Sequence, residues 1–465
     1  MKIYIVLTML LLSIFMGTAN EINYKLQKHQ KIEGTFSGDI NQKQSVQLII
    51  VKNTVSKLFE IIPFYFDKDN NSTQFDLITF EKSPSIISYH FNNNNLTLLA
   101  TQKIKNKTQL VILDLDLTTK KHTSKIIDDF KDAKAIFRLE NKTIFVHKTV
   151  SSLKITEVIN SVNQKKNKII IDSQNFQQFR SLFEEIPDIV NTNEYVKNGS
   201  TNKFQGYYYE NNLIFTKINK KNTEVNSITT DLNNYSFKLN RISLNDLEGV
   251  KDLNTFLYNN KLYTMLVSKN NAHLKIIDIN NSEEKFSKSL NTELKNHFNN
   301  DDLENFIKQA SKKRNKPTIT VNETIENKLV LNIDYVDTTV YNYNYNWWFH
   351  HWMWQQQQWH MQQSMQQIKV NIPSFGPNTI GFENVLSDTE KTNKSIKLVL
   401  DTSFKINKEA TTQTIKKEID KEKYLDDLKE NKSLKHITAS FQENSIRYIY
   451  YSKKLKTFII KTSNL

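Results

Sequence analysis

The sequence predicts an all-β fold, and two observations carry that prediction. Runs of Val, Ile, Leu, Phe, Tyr and Thr alternate with polar residues over about 5–9 positions along most of the chain, which is typical of half-buried strands. Asn-rich turns separate these runs. The 465-residue chain holds only 8 glycines and 6 prolines. Asparagine must therefore supply many of the left-handed turn positions, which it tolerates better than other non-glycine residues.

A weak internal repeat becomes visible when turn asparagines serve as reference points. Asn95, Asn141, Asn212 and Asn260 each begin a segment made of a strand, a Lys- and Asn-rich turn and a second strand. Looser versions of this segment begin at Asn327, Asn393 and Asn444. Steps of about 46–51 residues suit one four-stranded blade of a β-propeller. The sequence thus predicts a propeller of about seven blades, with tandem β-sandwich domains as the alternative. No WD or kelch signature is present.

Longer steps in the repeat contain additional elements. Apolar residues at helical spacing predict short helices within residues 175–188 and 301–317. A further predicted helix has an apolar face made of Ile415, Ile419, Leu425 and Leu428. The last repeat has room for only two strands. We therefore expect N-terminal strands near Val46–Val51 and Leu58–Phe66 to complete it, so that strands from both ends of the chain close the ring and remove exposed edges.

The N-terminus has the pattern of a secretory signal peptide. Lys2 supplies the positive charge, Ile3–Phe15 forms an apolar core, and Gly17–Ala19 provides small residues for cleavage. We expect residues 1–19 to be removed and residues 20–465 to form one propeller-like domain. The apolar core is shorter than the roughly 20 residues that span a bilayer. The mature chain is therefore expected not to be transmembrane.

The absence of cysteine limits the chemistry of the chain. Disulfides, a lipid-modified N-terminal cysteine and cysteine-based metal or nucleophile sites are all excluded. Together with the signal peptide, this predicts an exported protein that is periplasmic, on the cell surface or secreted, and that is not a lipoprotein.

The charge pattern gives no specific partner. The formal net charge is +14, and the 63 basic residues are spread along the chain. The densest run, Lys312–Arg314, lies at the end of a predicted helix, where cations complement the helix dipole. We therefore expect no specific nucleic-acid partner, although a net positive charge favours weak attraction to anionic lipids or polysaccharides.

One stretch differs in composition from the rest of the chain. Tyr341–Gln367 holds all five tryptophans, and residues 338–368 contain no charged side chain. We interpret residues 341–371 as an arm inserted between two strands. Aromatic side chains offer large apolar areas at low entropic cost. The candidate binding residues of the arm are Tyr341, Tyr343, Tyr345, Trp347, Trp348, Trp352, Trp354 and Trp359.

The same arm carries the candidate metal ligands. On a helix, four of its side chains share one arc: His350, Met353, His360 and Met361. Imidazole and thioether ligands together suit copper(I). Packing of these side chains in an aromatic cluster is the simpler interpretation. Copper is therefore kept as an alternative, and no other cofactor is expected.

No catalytic residue can be nominated from motifs. The chain has no Gly-rich phosphate loop, no GxSxG and no HExxH. Asp114 and Asp116 lie two apart on a predicted strand and are interpreted as its polar face. The segment from Asp67 to Asp76 resembles a calcium loop but has Ser72 where an EF-hand needs glycine, so a hairpin turn is the preferred interpretation.

The sequence as a whole favours a non-enzymatic binding or interaction protein of the cell envelope. The arm is its contact or capping element, and the partner is a protein, a glycan or an envelope surface. Two alternatives remain: a hydrolase with its site in the propeller funnel, and a copper-binding protein that uses the arm. Two or three carboxylates, or a histidine, converging on an open pocket would favour the hydrolase.

Overall fold

The structure of the chain is a computed structural model. It describes residues 21–105, 107–128, 130, 133–197, 199–245, 247–337, 396–406, 414–416, 418–419 and 421–464. The strands within these ranges form seven sheets. This arrangement confirms the predicted all-β fold and the β-propeller. Residues 1–19 and the arm at 341–371 lie outside the described ranges, so the signal peptide and the role of the arm stay predictions.

The first three sheets follow one another along the chain, after a first strand β1 (Glu21–Lys25). Sheet 1 consists of β2 (Gln30–Asp39), β3 (Ser45–Asn53), β4 (Phe59–Phe66), β5 (Ser72–Gln74) and β6 (Ile78–Phe80). Sheet 2 consists of β7 (Ser85–Asn92), β8 (Asn95–Ile104), β9 (Lys107–Asp116) and β10 (His122–Ile127). Sheet 3 consists of β11 (Ala135–Arg138), β12 (Thr143–Lys148), β13 (Ser152–Val158) and β14 (Gln164–Ile170).

The next three sheets include two helical connections and one parallel strand pair. Helix α1 (Phe176–Leu182) precedes sheet 4, which consists of β15 (Asp188–Val190), β16 (Phe204–Tyr209), β17 (Asn212–Asn219), β18 (Glu224–Asp231) and β19 (Phe237–Ser243). Sheet 5 consists of β20 (Asp252–Tyr258), β21 (Lys261–Val267), β22 (Ala272–Asp278) and β23 (Glu284–Ser289). A 3-10 turn (Lys295–His297) and α2 (Asn300–Ala310) lead to sheet 6, with β24 (Asn315–Glu323), β25 (Leu329–Asp337) and β26 (Ile396–Leu400).

Sheet 7 completes the ring. Helix α3 (Lys421–Glu430) precedes it, and its strands are β27 (Leu434–Phe441), β28 (Ser445–Ser452), β29 (Thr457–Asn464) and the N-terminal β1. First strands of neighbouring sheets contact each other, as β27 does with β2, β7 with β11, and β20 with β24. These strands therefore surround the axis of the propeller. Sheets 6 and 7 are linked by residues 414–416, where Lys416 N donates to Glu323 O at 2.7 Å, and by α3, which packs on β27.

The ring closes through β1, which pairs antiparallel with β29. Ile22 and Tyr24 pack with Phe458 and Ile460 in the core between sheets 7 and 1. The expectation that strands near Val46–Val51 and Leu58–Phe66 close the ring is wrong, because they are β3 and β4 of sheet 1. Their side chains are buried on both faces, which suits interior strands rather than the edge of a closing sheet.

The asparagine repeat marks one particular turn of each sheet. Asn95, Asn141 and Asn260 lie at the turn between the first and second strands of sheets 2, 3 and 5, and Asn212 lies at the turn between β16 and β17 of sheet 4. Asparagine is also the commonest residue among the described non-glycine positions with positive φ. Asn327 lies at the turn between the first and second strands of sheet 6, Asn393 lies outside the described residues, and sheet 1 has no such anchor. The predicted count of about seven blades agrees with the seven sheets, although the repeat did not identify sheet 1.

The predicted helices are found with changed limits. Helices α1 and α2 bury Phe179, Leu182, Leu303 and Phe306 as their spacing predicts. The third helix begins later than expected. Ile415 forms a β-bridge with Thr324 instead of joining the helical face, because it adds to the edge of sheet 6.

Sheet 4 contains a parallel connection that shapes the centre of the ring. Strand β15 pairs parallel with β16, with Asp188 opposite Gln205. A chain that leaves β15 must therefore return along its whole length before β16 can begin. The described residues between the two strands, 191–197 and 199–203, belong to the segment that makes this return, and we name them the crossover.

Candidate functional site

A cavity of about 1030 Å³ lies at the end of the ring where β2, β11, β15 and β27 end. Its lining comes from sheets 1, 3, 4, 6 and 7 and from the approach to α3. Four charged residues of this lining come from four separate parts of the ring: Asp39, Arg138, Glu194 and Lys421. We name them the axial cluster, because groups from such distant blades can meet only near the axis.

Asp39 and Arg138 form the first half of the cluster. Arg138 Nη1 donates to the backbone carbonyl of Asp39 at 2.8 Å, and the Tyr89 hydroxyl donates to the same oxygen at 3.1 Å. The guanidinium also lies over the Tyr89 ring, 4.7 Å from its centre. Burial lowers the pKa of Arg138, but Tyr89, Asp39 and Glu194 raise it by more, so the guanidinium stays charged.

Glu194 lies at the beginning of the crossover and forms the second half. Its Oε1 accepts a hydrogen bond from Asn191 Nδ2 at 2.7 Å, and its Oε2 accepts one from Lys421 Nζ at 2.9 Å. Burial raises the pKa of the Glu194 carboxyl, but the charges of Lys421 and Arg138 and these two hydrogen bonds lower it by more. Glu194 is therefore ionised at neutral pH.

Lys421 joins the two carboxylates. Its Nζ lies 2.9 Å from Glu194 and 3.6 Å from Asp39 Oδ2, and only 14% of its side chain is exposed. Burial lowers the pKa of the Lys421 ammonium, and Asp39 and Glu194 raise it by more. The first residue of α3 thus brings a protonated amine to the axis, 5.8 Å from the centre of the Phe441 ring.

The rest of the lining is mixed in character. Five basic and four acidic residues nearly balance in charge, and Tyr195, Tyr208 and Phe441 add aromatic surface. Amide side chains lie between them: Asn41, Gln42, Gln44, Asn141, Asn191, Asn193 and Gln442. Such a cavity can bind a polar ligand through hydrogen bonds, and it shows no strong preference for either sign of charge.

The residues nominated from the sequence are not those of the axial cluster. The candidate binding and metal residues of the arm lie outside the described ranges, so both nominations stay predictions. In the described part of the chain, no group of three or more His, Cys, Asp or Glu residues is placed to hold a metal ion. No helix in that part is long and apolar enough to span a membrane.

The two other carboxylate motifs have structural roles. Asp114 accepts hydrogen bonds from the Thr97 hydroxyl at 2.9 Å and from Ser161 N at 2.7 Å. Asp116 accepts from two backbone amides of the following turn. Asp67 likewise accepts from the backbone amides of Asp69 and Asn71, which confirms the predicted hairpin turn. Each side chain thus holds a local turn or an interblade contact.

The comparisons with known proteins add the fold context. No protein-family model matches the chain, and no curated protein matches it. Among solved structures, the chain is similar to the β-propeller domain of the Trilobed protease from Pyrococcus furiosus, with 8% identity, a TM-score of 0.32, and coverage of 93% of this chain and 96% of that one. It is also similar to a prolyl endopeptidase, with 6% identity, a TM-score of 0.27, and coverage of 65% of this chain and 47% of that one.

A third similar structure is a mutant of the Synechocystis apocarotenoid oxygenase, with 8% identity, a TM-score of 0.27, and coverage of 56% of this chain and 60% of that one. The chain thus spans 47% of the prolyl endopeptidase and 60% of the oxygenase. At these identities the likeness concerns the fold.

The expectation of a non-enzymatic binding protein is corrected in favour of the hydrolase alternative. The axial cluster meets the condition given for that alternative, since the carboxylates of Asp39 and Glu194 converge on an open cavity. The sequence concealed this site, because residues 39, 138, 194 and 421 share no motif. A useful signal would have been a charged residue at the end of an otherwise apolar first strand, such as Arg138 at the end of β11.

Proposed function

We propose that the protein is a hydrolase whose reaction takes place in the cavity at the axis. Glu194 is the general base for a water molecule, and Lys421 and Arg138 stabilise the negative charge that develops on the substrate. The observation that carries this proposal is the convergence of an ionised carboxylate and two cations on one open cavity. A base must be deprotonated and an oxyanion stabiliser must be charged, and both conditions are met.

The ionised state of Glu194 indicates which type of substrate bond the protein hydrolyses. Cleavage of a glycoside requires a protonated carboxylic acid to assist the leaving group, and the lowered pKa of Glu194 disfavours that role. Hydrolysis of an ester or amide proceeds through an anionic intermediate, which cations stabilise. We therefore propose an ester or amide substrate.

The Lys421–Glu194 hydrogen bond must open during the reaction. A substrate carbonyl that approaches Lys421 competes with Glu194 for the ammonium. Loss of this hydrogen bond raises the pKa of Glu194 towards the range in which a carboxylate is an effective base. Asp39 remains close to Lys421 and keeps the amine in place.

The test is a comparison of three chromogenic substrate classes: p-nitrophenyl esters, aminoacyl p-nitroanilides and p-nitrophenyl glycosides. We expect hydrolysis of esters or anilides and none of glycosides. Glu194→Gln should lower kcat/KM by at least about 100-fold, the usual contribution of a general base. Glu284→Gln is the matched control, because its half-exposed carboxylate lies on the outer strand of sheet 5.

Two results would contradict the proposal. One is the absence of ester and anilide hydrolysis above that of heat-denatured protein. The other is an unchanged kcat/KM in Glu194→Gln. Export by residues 1–19 is a separate proposal, which rests on the signal pattern and is tested by N-terminal sequencing of the protein recovered outside the cytoplasm.

A further inference from the structure

The crossover lies along the axis of the ring. Because β15 and β16 are parallel, the crossover must run from the cavity end of the ring to its opposite end. The first part of this segment, residues 191 and 193–195, lines the cavity, whereas the described residues 196, 197, 199 and 200 are absent from the lining. The crossover therefore leaves the cavity and continues into the ring behind it.

Two hydrogen bonds from the side chain of Asn322 in sheet 6 hold the backbone of the crossover at Val196. Val196 N donates to Asn322 Oδ1 at 2.9 Å, and Asn322 Nδ2 donates to Val196 O at 2.9 Å. Farther along, a Cβ placed on Gly199 would lie 2.8 Å from the carbonyl oxygen of Ile319. The backbone of the crossover thus lies directly against the backbone of β24, and no side chain fits between them.

Sheet 5 holds the far end in the same way. Asn254 Nδ2 donates to Ser200 O at 2.9 Å, while its Oδ1 accepts from Ile319 N at 3.2 Å. One asparagine therefore joins the crossover, β20 and β24. Val196 is 7% exposed and Ser200 is 4% exposed, so little space remains beside the segment.

We propose that the crossover is a plug that closes the inner end of the cavity and leaves it with one opening. This plug limits the substrates of the proposed hydrolase, on which the inference rests, to small molecules and to the free end of a polymer chain. A polymer cannot pass through a cavity that has one opening. The volume of about 1030 Å³ is at the upper end of the range of small-molecule sites and can hold several residues of a peptide.

Thiol labelling tests the plug without any assay of activity. The chain has no cysteine, so single substitutions report one position each. We expect N-ethylmaleimide to modify Asn193→Cys on the cavity side as fast as Val55→Cys, which is 79% exposed on the surface. Ser200→Cys should react at least about 100-fold more slowly, because only local unfolding exposes it.

A second labelling experiment removes the side chains of Asn322 and Asn254. In the Asn322→Ala and Asn254→Ala background, Ser200→Cys should react at least about 10-fold faster, since the crossover loses three hydrogen bonds. Circular dichroism and the unfolding midpoint verify that each variant is folded. Labelling of Ser200→Cys as fast as Asn193→Cys in the parent would overturn the plug.

A pair of peptides tests the consequence for the substrate. A linear decapeptide with free ends is compared with the same sequence cyclised through its backbone. We expect cleavage of the linear peptide near one end and at least about 100-fold slower cleavage of the cyclic one. Equal rates would overturn end-directed action. If neither peptide is cleaved and the chromogenic esters and anilides are also inert, the proposed hydrolase fails, and the labelling rates decide the plug on their own.

Discussion

The Nζ atom of Lys421 lies 2.9 Å from Oε2 of Glu194, although 227 positions in the sequence separate the two residues. This contact joins the crossover of sheet 4 to the first residue of α3 before sheet 7. Because both side chains are mostly buried, with 14% and 25% exposed, the pair is part of the folded ring as well as of the proposed site.

We predict that Lys421→Met lowers the free energy of unfolding by about 1–3 kcal/mol, because it leaves the Glu194 carboxylate buried with fewer partners. In a double-mutant cycle with Glu194→Gln, the coupling free energy should exceed about 1 kcal/mol. Urea denaturation of the four proteins at pH 7 measures it. The surface pair Lys288 and Glu293, with each side chain 44% exposed, is the control and should give less than about 1 kcal/mol. Equal coupling in the two cycles would contradict the prediction.

We predict a loss of stability in mild acid that depends on His90. This side chain is fully buried, Nε2 donates to Ile159 O at 2.8 Å, and Nδ1 lies 3.0 Å from the Thr143 hydroxyl. Burial lowers its pKa to about 4. Between the ordinary pKa of about 6.5 and this value, the unfolded chain binds the proton and the folded chain does not, so stability falls as the pH falls.

From pH 7 to pH 5, His90 should account for a loss of about 2 kcal/mol in the free energy of unfolding. His90→Gln should remove this part of the pH dependence, whatever it does to stability at pH 7. Denaturation curves at the two pH values provide the measurement, and His122→Gln on the edge strand β10 is the control. A pH dependence that is the same in His90→Gln and in the parent would disprove the role of His90.

We predict that Arg447 fastens sheet 7 to sheet 1. The side chain is fully buried, donates to Ser45 and to Asn70 Oδ1, and lies over the Phe66 ring at 3.9 Å. Burial lowers its pKa to about 10. Arg447→Met should cost about 2–4 kcal/mol of stability, and Arg447→Lys should not restore it, because an ammonium cannot reproduce the planar set of donors.

Thermal and urea unfolding measure the effect of these Arg447 variants. Arg241→Met is the control, because the Arg241 side chain is 62% exposed and its ion pair with Glu224 spans 3.8 Å. That change should shift stability by less than about 1 kcal/mol. An Arg447→Lys protein as stable as the parent would argue against the planar hydrogen-bond network as the fastening element.

The propeller was predictable because each blade repeats a local pattern. Turn asparagines such as Asn260 and Asn327 mark strand ends through their tolerance of positive φ, which can be inferred without a structure. Closure by β1 was misassigned because Glu21–Lys25 is short and half-polar, and only its pairing with β29 identifies it. The parallel pairing of β15 with β16 was also hidden, since a three-residue strand has no periodicity.

The axial cluster could not be predicted, because proximity near the axis is a property of the whole ring. Asp39 ends strand β2, and Glu194 lies in a connection whose path depends on Asn322 and Asn254. Nothing local distinguishes these residues from the many other charged residues of the chain. The arm differs from the rest of the chain in amino-acid composition and is therefore visible in the sequence. The axial cluster is distinguished only by its position near the axis of the folded ring.

We predict that Gly38→Ala damages both stability and the site. A Cβ at Gly38 would overlap the ring of Tyr89, which is fully buried. Tyr89 must then move. Its hydroxyl donates to the Asp39 carbonyl and its ring packs against the Arg138 guanidinium, so both contacts are disturbed. Overpacking of this kind costs about 1–3 kcal/mol, and kcat/KM on an ester or anilide should fall as Arg138 is displaced. Gly34→Ala on the same strand is the control, because no atom lies within 4 Å of its Cβ position.

Gly34→Ala should leave the free energy of unfolding unchanged or raise it by up to about 1 kcal/mol, because alanine reduces the entropy of the unfolded chain. Adding Tyr89→Leu to Gly38→Ala should recover part of the stability, because the smaller side chain removes the overlap. It should not recover activity, since Arg138 loses the aromatic ring beneath it. The measurements are urea denaturation and kcat/KM for the two single variants and the double variant. If Gly38→Ala and Gly34→Ala are equally stable and equally active, the packing of Tyr89 on Gly38 does not position the axial cluster.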